Sequence, residues 1–258
     1  MPCTSTGSWY GQALYGSQSC ESVGATRPGA ASTGSCTFIS MSTSHPQRVV
    51  VIGADGVLGT AISHRLVAAG YEPVPFVRHV DRLAGAVHCD LRDPDSVRAA
   101  FSSIELPVAG VVIAAGVVAF GSLGDLPAAV VDELFATNAA GVQHVLDVAA
   151  NAVGDGGFIV NLTGVAGEQA LIGMSAYCAS KAAASMAMRV AKRELRRRSV
   201  NVLDARPGHT ETGLVSRSLW GTPPKLPAGL SPDAVAARIV AAVIAGEADL
   251  PPDAFQAS

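Results

Sequence analysis

The run Arg48-Val49-Val50-Val51-Ile52-Gly53-Ala54-Asp55-Gly56-Val57-Leu58-Gly59 decides the fold. Its first five residues are a short, mostly β-branched strand candidate, and a glycine-rich turn follows at once. Behind the turn, Leu58, Ile62, Leu66 and Ala69 recur at helical spacing until Gly70 closes the run. Strand, glycine turn and helix in this order bring a backbone close to a pyrophosphate. One glycine permits the tight turn, another lets the backbone approach the phosphates, and the last lets helix pack against strand. The helix start then presents free N–H groups to the anion. Gly53, Asp55, Gly56, Val57, Leu58 and Gly59 are therefore candidate dinucleotide-binding residues.

Outward from this unit the alternation continues. Strand candidates are Pro73–Val77, Ala86–Cys89, Val108–Ile113, Gly157–Leu162 and Val200–Ala205. Between them lie helix candidates at Ser96–Phe101, Pro127–Ala152, Ser175–Arg198 and Pro232–Ala245. Asp93-Pro94 supplies an acidic cap and a first-turn proline to the first of these. Several strands are apolar on both faces, which a parallel sheet covered by helices on both sides requires. The expected class is α/β: a single Rossmann-type, doubly wound parallel sheet with helices on both faces.

The chain has 258 residues, of which 49% are apolar and 15% charged. It is long and apolar enough to bury a sizeable core. A net charge of −3 gives no basic footprint for nucleic acid. The longest apolar stretch, Val108–Phe120, is too short for a membrane span and holds two glycines. Five cysteines without CxxC or His-x-x-x-His spacing suggest neither a disulfide framework nor a metal site, and a reducing, cytoplasmic setting is expected. Composition breaks near residue 45. In residues 1–44, Ser, Thr and Gly fill half the positions, and Glu21 and Arg27 are the only charges. This segment reads as a disordered tail or as a non-native start, with Met41 as an alternative beginning, and the globular domain as 45–258.

Two further features carry chemistry. Arg78 stands at the end of the second strand, where an acidic residue would favour NAD and an arginine suits a 2′-phosphate. Tyr177 and Lys181 lie four apart on one helix, within reach of each other and of a shared ligand. A nearby ammonium favours the phenolate and lowers a tyrosine pKa. Such a tyrosine exchanges a proton with a carbonyl or alcohol oxygen.

The ordered set of the glycine turn, Asp90-Leu91, Ala114-Ala115-Gly116, Asn138, Asn161-Leu162-Thr163, Tyr177-Cys178-Ala179-Ser180-Lys181 and Pro207-Gly208 resembles the short-chain dehydrogenase/reductase superfamily. The resemblance covers roughly residues 48–246. It implies NAD(P)(H)-dependent hydride transfer to or from a small carbonyl or alcohol. By the same resemblance, Gly53, Gly56 and Gly59 hold the pyrophosphate, and Asp90 and Leu91 contact adenine. Ala114, Ala115 and Gly116 line the ribose side, Tyr177 is the acid/base, and Lys181 holds the nicotinamide ribose. Asn138 matches an asparagine that holds a relay water. Pro207, Gly208, Thr210 and Thr212 meet the carboxamide. The resemblance also implies a homodimer or homotetramer; the two long Ala-rich helices have small faces that suit such packing.

Four departures from the family pattern stand out. The link from Arg78 to Ala86 is too short for the usual second helix, and Pro251-Pro252 stand where a seventh strand should form. Valine replaces the middle glycine of the commonest turn. Gly164 stands thirteen residues before Tyr177, where the family has its catalytic serine. A lost oxyanion donor costs about 10²–10³ in rate, unless Thr163 or Ser175 supplies the hydroxyl. Two readings follow: an NADP(H)-preferring oxidoreductase, or a catalytically impaired dinucleotide-binding sensor or structural protein. On the first reading, Gly164→Ser is expected to raise turnover.

Overall fold

A computed structural model describes residues 47–256. The tail assigned to residues 1–44 lies outside them. Six strands form one parallel sheet: β1 (Arg48–Ile52), β2 (Glu72–Val77), β3 (Val87–His88), β4 (Val108–Ile113), β5 (Val153–Leu162) and β6 (Asn201–Ala205). Their spatial order is β3-β2-β1-β4-β5-β6. Val50 pairs with Val74 on one side and Val111 on the other. The helices are α1 (Val57–Ala68), α2 (Pro94–Ser102), α3 (Ala128–Phe135), α4 (Gly141–Ala152), α5 (Ser175–Glu194) and α6 (Pro232–Ala245). A π-turn, Ala136–Ala140, joins α3 to α4, so the helix expected over Pro127–Ala152 is interrupted at Asn138.

The period of two along each strand sorts its side chains into two cores. Val50, Ile52, Val111, Ile113 and Ile159 face a cluster completed by Val97 and Phe101 of α2, Val145 of α4 and Met188 of α5. Val49, Val51, Val112, Val160 and Leu203 face the other, with Ile62 and Leu66 of α1 and Val235 and Ile239 of α6. Both faces of the central strands are buried, and this is why they read as unbroken apolar runs. Asp93 caps α2 by accepting the Asp95 N–H at 2.9 Å, with Pro94 in the first turn, as its sequence predicts.

Three details differ from or refine the sequence expectations. Only a single 3₁₀ turn, Val80–Arg82, spans the short link between β2 and β3. β5 begins at Val153 rather than Gly157, because its pairing with β4 shifts register between Val108 and Gly110 and the intervening glycines carry the irregularity. Instead of a seventh strand, Leu250 makes one parallel bridge to Ala205 and accepts the Arg206 N–H at 3.1 Å. Pro251 and Pro252 lack the N–H groups to extend it. No helix among the described residues is long and apolar enough to cross a membrane.

Leu250 is fully buried in the core shared by α1 and α6. Leu250→Ala is expected to lose about 2–5 kcal/mol. Thermal denaturation checks this, with the midpoint falling by roughly 5 °C or more.

Candidate active site

The strand order reverses between β1 and β4, and there the carboxyl ends of neighbouring strands diverge into a crevice. A cleft of about 560 Å³ lies in this place. The glycine turn forms its floor. Gly53 donates its N–H to Phe76 O at 2.8 Å, tying β1 to β2, and Gly56 donates to Gly53 O at 3.0 Å before α1 starts. Gly56, Val57 and Leu58 line the cleft, and Gly59 does not. A Cβ at Gly59 would lie 2.1 Å from Gly53 O. Gly59 thus seats the helix on the strand, the role expected of the last glycine of the turn.

Charge concentrates where β2 and β3 end. Arg78, Arg82 and Arg92 line the cleft with Asp55, Asp90 and Glu133. Arg82 pairs with Asp55 at 3.7 Å. Arg92 holds both Asp90 oxygens and reaches Glu133 at 3.1 Å. These Arg92 hydrogen bonds are the main reason the Asp90 carboxyl is held down at about 2. Arg78 makes no ion pair among the described residues; its Nε donates to the His79 ring at 3.2 Å. Arg92 carried no sequence signal beyond standing two residues after Asp90, and Arg82, far from Asp55 in the chain, carried none. Leu91 is buried, and its carbonyl accepts from the His144 ring at 2.9 Å.

At the opposite end, α5 brings Tyr177 and Lys181 into the same wall. Ser180, Lys181, Ala184 and Met188 form the buried stripe of this helix, so the lysine enters the protein rather than solvent. Its ammonium donates to Leu162 O at 2.9 Å. Burial pulls Lys181 down to about 8, with Asp204 acting in the opposite sense. Burial pushes the Tyr177 phenol up to about 12. The four-residue spacing predicts an ammonium that lowers this tyrosine; desolvation is the larger effect and has the other sign. Ala114, Ala115, Gly116, Pro207, Gly208, Thr210 and Thr212 also line the cleft, where the sequence places them. A Cβ at Gly116 would lie 3.2 Å from Asn138 Oδ1 and 3.3 Å from Lys181 Nζ, so these groups converge behind the ribose side.

Asn138 itself stands behind the wall, 1% exposed, in the π-turn. Its side chain accepts the Val117 N–H at 3.0 Å and donates to Val117 O at 2.9 Å and Ser180 Oγ at 3.1 Å. The amide thus holds the loop after β4, and a relay water would have to meet the backbone of the turn instead.

Beyond Lys181 the chamber is capped by the segment that follows β6, packed on the loop after β4. Leu219 donates to Val118 O at 2.8 Å, Phe120 to Trp220 O at 2.9 Å, and Gly121 to Gly173 O at 2.8 Å. Val118, Phe120, Leu171, Met174, Leu219 and Leu226 make the chamber apolar. Among the described residues no group of His, Cys, Asp and Glu is placed to hold a metal.

A family model described as short chain dehydrogenase matches residues 47–219. The chain belongs to the short-chain dehydrogenase family. It is 27% identical over 199 residues to an L-xylulose reductase of Caenorhabditis elegans, an alignment covering 69% of this chain and 77% of that one. The fold is shared with a short-chain dehydrogenase from Burkholderia cenocepacia in complex with NADP (TM-score 0.72, 21% identity, 81% of this chain and 88% of that one). It is shared too with one from Sphingobium yanoikuyae in complex with NADPH (TM-score 0.70, 20% identity, 80% and 87%).

At Gly164 of this short-chain dehydrogenase the backbone itself calls for glycine. Gly164 adopts φ 75°, ψ 171°, a conformation essentially confined to glycine. Its N–H donates to Ala205 O and the next N–H to Pro207 O, which fixes the turn. Neither substitute hydroxyl is free to serve. Thr163 donates to Asp204 and accepts from Asn161 at 2.9 Å, and Ser175 is exposed and off the cleft. A Cβ at Gly164 would meet nothing closer than Pro207 O at 3.6 Å, so the obstacle is the backbone and not space. Gly164→Ser is therefore expected to destabilise by about 1–3 kcal/mol and to leave turnover unimproved. This reverses the sequence-based expectation; urea unfolding and steady-state rates on the same preparation check both parts.

Proposed function

We propose that the protein is an NADP(H)-dependent oxidoreductase acting on an apolar ketone or the corresponding secondary alcohol. The observation that carries this reading is the convergence of Tyr177 and Lys181 on one cleft whose far end holds Arg78, an arginine with no ion pair among the described residues. The cleft fits the cofactor. The N-terminus of α1 offers N–H groups to a pyrophosphate, and Gly116, lacking a Cβ, lets the backbone pass close to Lys181 and Asn138. Asp55 would repel a 2′-phosphate, but it is paired with Arg82, which leaves Arg78 to receive the anion. Bound there, NADP(H) supplies or takes up the hydride.

The chain's own residues handle the proton and the fit. In reduction, the Tyr177 hydroxyl donates its proton to the carbonyl oxygen and recovers one from solvent; in oxidation it takes the proton back. A phenol near 12 resists ionising in the resting site. The Lys181 ammonium stabilises the phenolate as it forms and holds the ribose. Leu171, Met174 and Leu226 exclude water from the chamber. Arg217 bonds the carbonyls of Thr212 and Gly213 within its own loop, so the chamber favours an uncharged substrate. Met186 and Val190, exposed on α5 at 54% and 46%, support association of copies through the long helices.

One observation favours the second reading, a cofactor-binding protein with little turnover: neither the Thr163 nor the Ser175 hydroxyl is placed to do the work of the family's serine. Absorbance of NADPH over a panel of apolar ketones decides between them. With turnover present, Tyr177→Phe is expected to reduce it at least 10²-fold while NADPH affinity stays within about twofold. A wild type inert over the whole panel overturns the oxidoreductase reading.

Cofactor choice is tested separately. Arg78→Ala is expected to weaken NADPH binding about tenfold or more and leave NADH binding unchanged. Fluorescence titration with each nucleotide measures this, and equal losses for both would remove Arg78 as the discriminating residue.

A further inference from the structure

Asp204 is a buried carboxylate that the chemistry above does not use. It lies on β6 and is 7% exposed. One oxygen accepts the Thr163 hydroxyl, and the other accepts the Ser185 hydroxyl at 2.7 Å. Thr163 directly follows Leu162, whose carbonyl receives the Lys181 ammonium. Ser185 stands one turn beyond Lys181 on α5. A single carboxylate thus joins the two elements between which the lysine is held. The Asn161 amide, donating to Thr163 Oγ1 at 2.9 Å, commits the threonine's proton to Asp204.

Burying a carboxylate is costly unless it is paired and hydrogen-bonded. Desolvation accordingly raises the Asp204 pKa, against the pull of its two hydroxyl donors and of Arg206 and Lys181. Arg206 lies 3.7 Å away and is itself shared with Glu168 at 2.8 Å and Asp249 at 2.9 Å. A small apolar side chain would fill this strand position without that cost. The charge calls for a cation that needs it, and Lys181 is buried with, among the described residues, no carboxylate bonded to it directly.

We propose that Asp204 is a positioning residue for Lys181: it clamps the end of β5 to helix α5 and supplies the counter-charge that keeps the ammonium in the cleft wall. This rests on reading Lys181 as the lysine of the site. Around Lys181, its own helix contributes Tyr177 and Cys178. The β6 side contributes Asp204 and Arg206, with Glu168 and Asp249 beyond Arg206. Asn138 and Gly116 on the remaining side are neutral. Asp204 is the anion that raises Lys181, against the burial that lowers it. Without it desolvation is unopposed, and the lysine loses its proton at lower pH.

The chain has three lysines, Lys181, Lys192 and Lys225, which makes the test direct. Lysine labelled at Cε gives three NMR signals in the full-length protein without cofactor, and Lys181→Arg assigns the one that disappears. The wild-type Lys181 signal is expected to titrate near pH 8. Asp204→Asn is expected to move the midpoint down by about one unit. Ser185→Ala, which keeps the charge and loosens one clamp, moves it the same way by less. Equal midpoints in wild type and Asp204→Asn overturn the proposal. If Asp204→Asn does not fold, Ser185→Ala and Thr163→Val carry the test, and unchanged midpoints in both overturn it. The readout needs no turnover, so an inert wild type defeats the oxidoreductase reading while the NMR result still decides on Asp204.

Discussion

Everything in this molecule hangs on the closeness of α1 to β1. A helix can start within a few residues of a buried strand only if nothing projects from the residue that crosses the strand end, and Gly59 is that residue. With α1 seated there, its N-terminus points into the crevice between β1 and β4, and Ile62 and Leu66 reach the core shared with α6. The same contact thus sets both an anion-binding direction and half of the hydrophobic packing. A side chain at Gly59 would push the helix away from the turn and from the core together.

The two ends of the cleft solve different electrostatic problems. Near Arg78 the charges are numerous, partly solvated and, Arg78 apart, mutually paired. Near Tyr177 the ionisable groups are few, and burial moves both Tyr177 and Lys181 toward their neutral forms. An arrangement of this kind binds by charge at one end and tunes proton chemistry at the other.

The sequence made the sheet, its order of elements and most of the cleft lining legible, because these depend on periodicity, glycine placement and residue spacing. The long runs at Val108–Ile113 and Ser175–Glu194 left little choice of structure. What escaped depends on partners far apart in the chain. Nothing local announces that Asn138 is spent on Val117, that Thr163 faces Asp204, or that Arg92 reaches Glu133. Gly164 was visible as a missing hydroxyl, whereas its positive φ was not, since a backbone angle leaves no trace in a residue name. The early start of β5 was hidden for a related reason: Gly154, Asp155, Gly156 and Gly157 read as a turn, and their pairing is decided by β4.

The cap over the chamber is fastened by peptide groups: Val118 with Leu219, Phe120 with Trp220, and Gly121 with Gly173. Amide-to-carbonyl bonds do not depend on which side chains the residues carry. Leu171, Met174, Leu219 and Leu226 therefore shape the chamber with side chains that are not what fastens its cap. In such a scaffold the closure of the chamber and the character of its lining are carried by different atoms, so a substitution that reshapes the lining leaves the fastening in place.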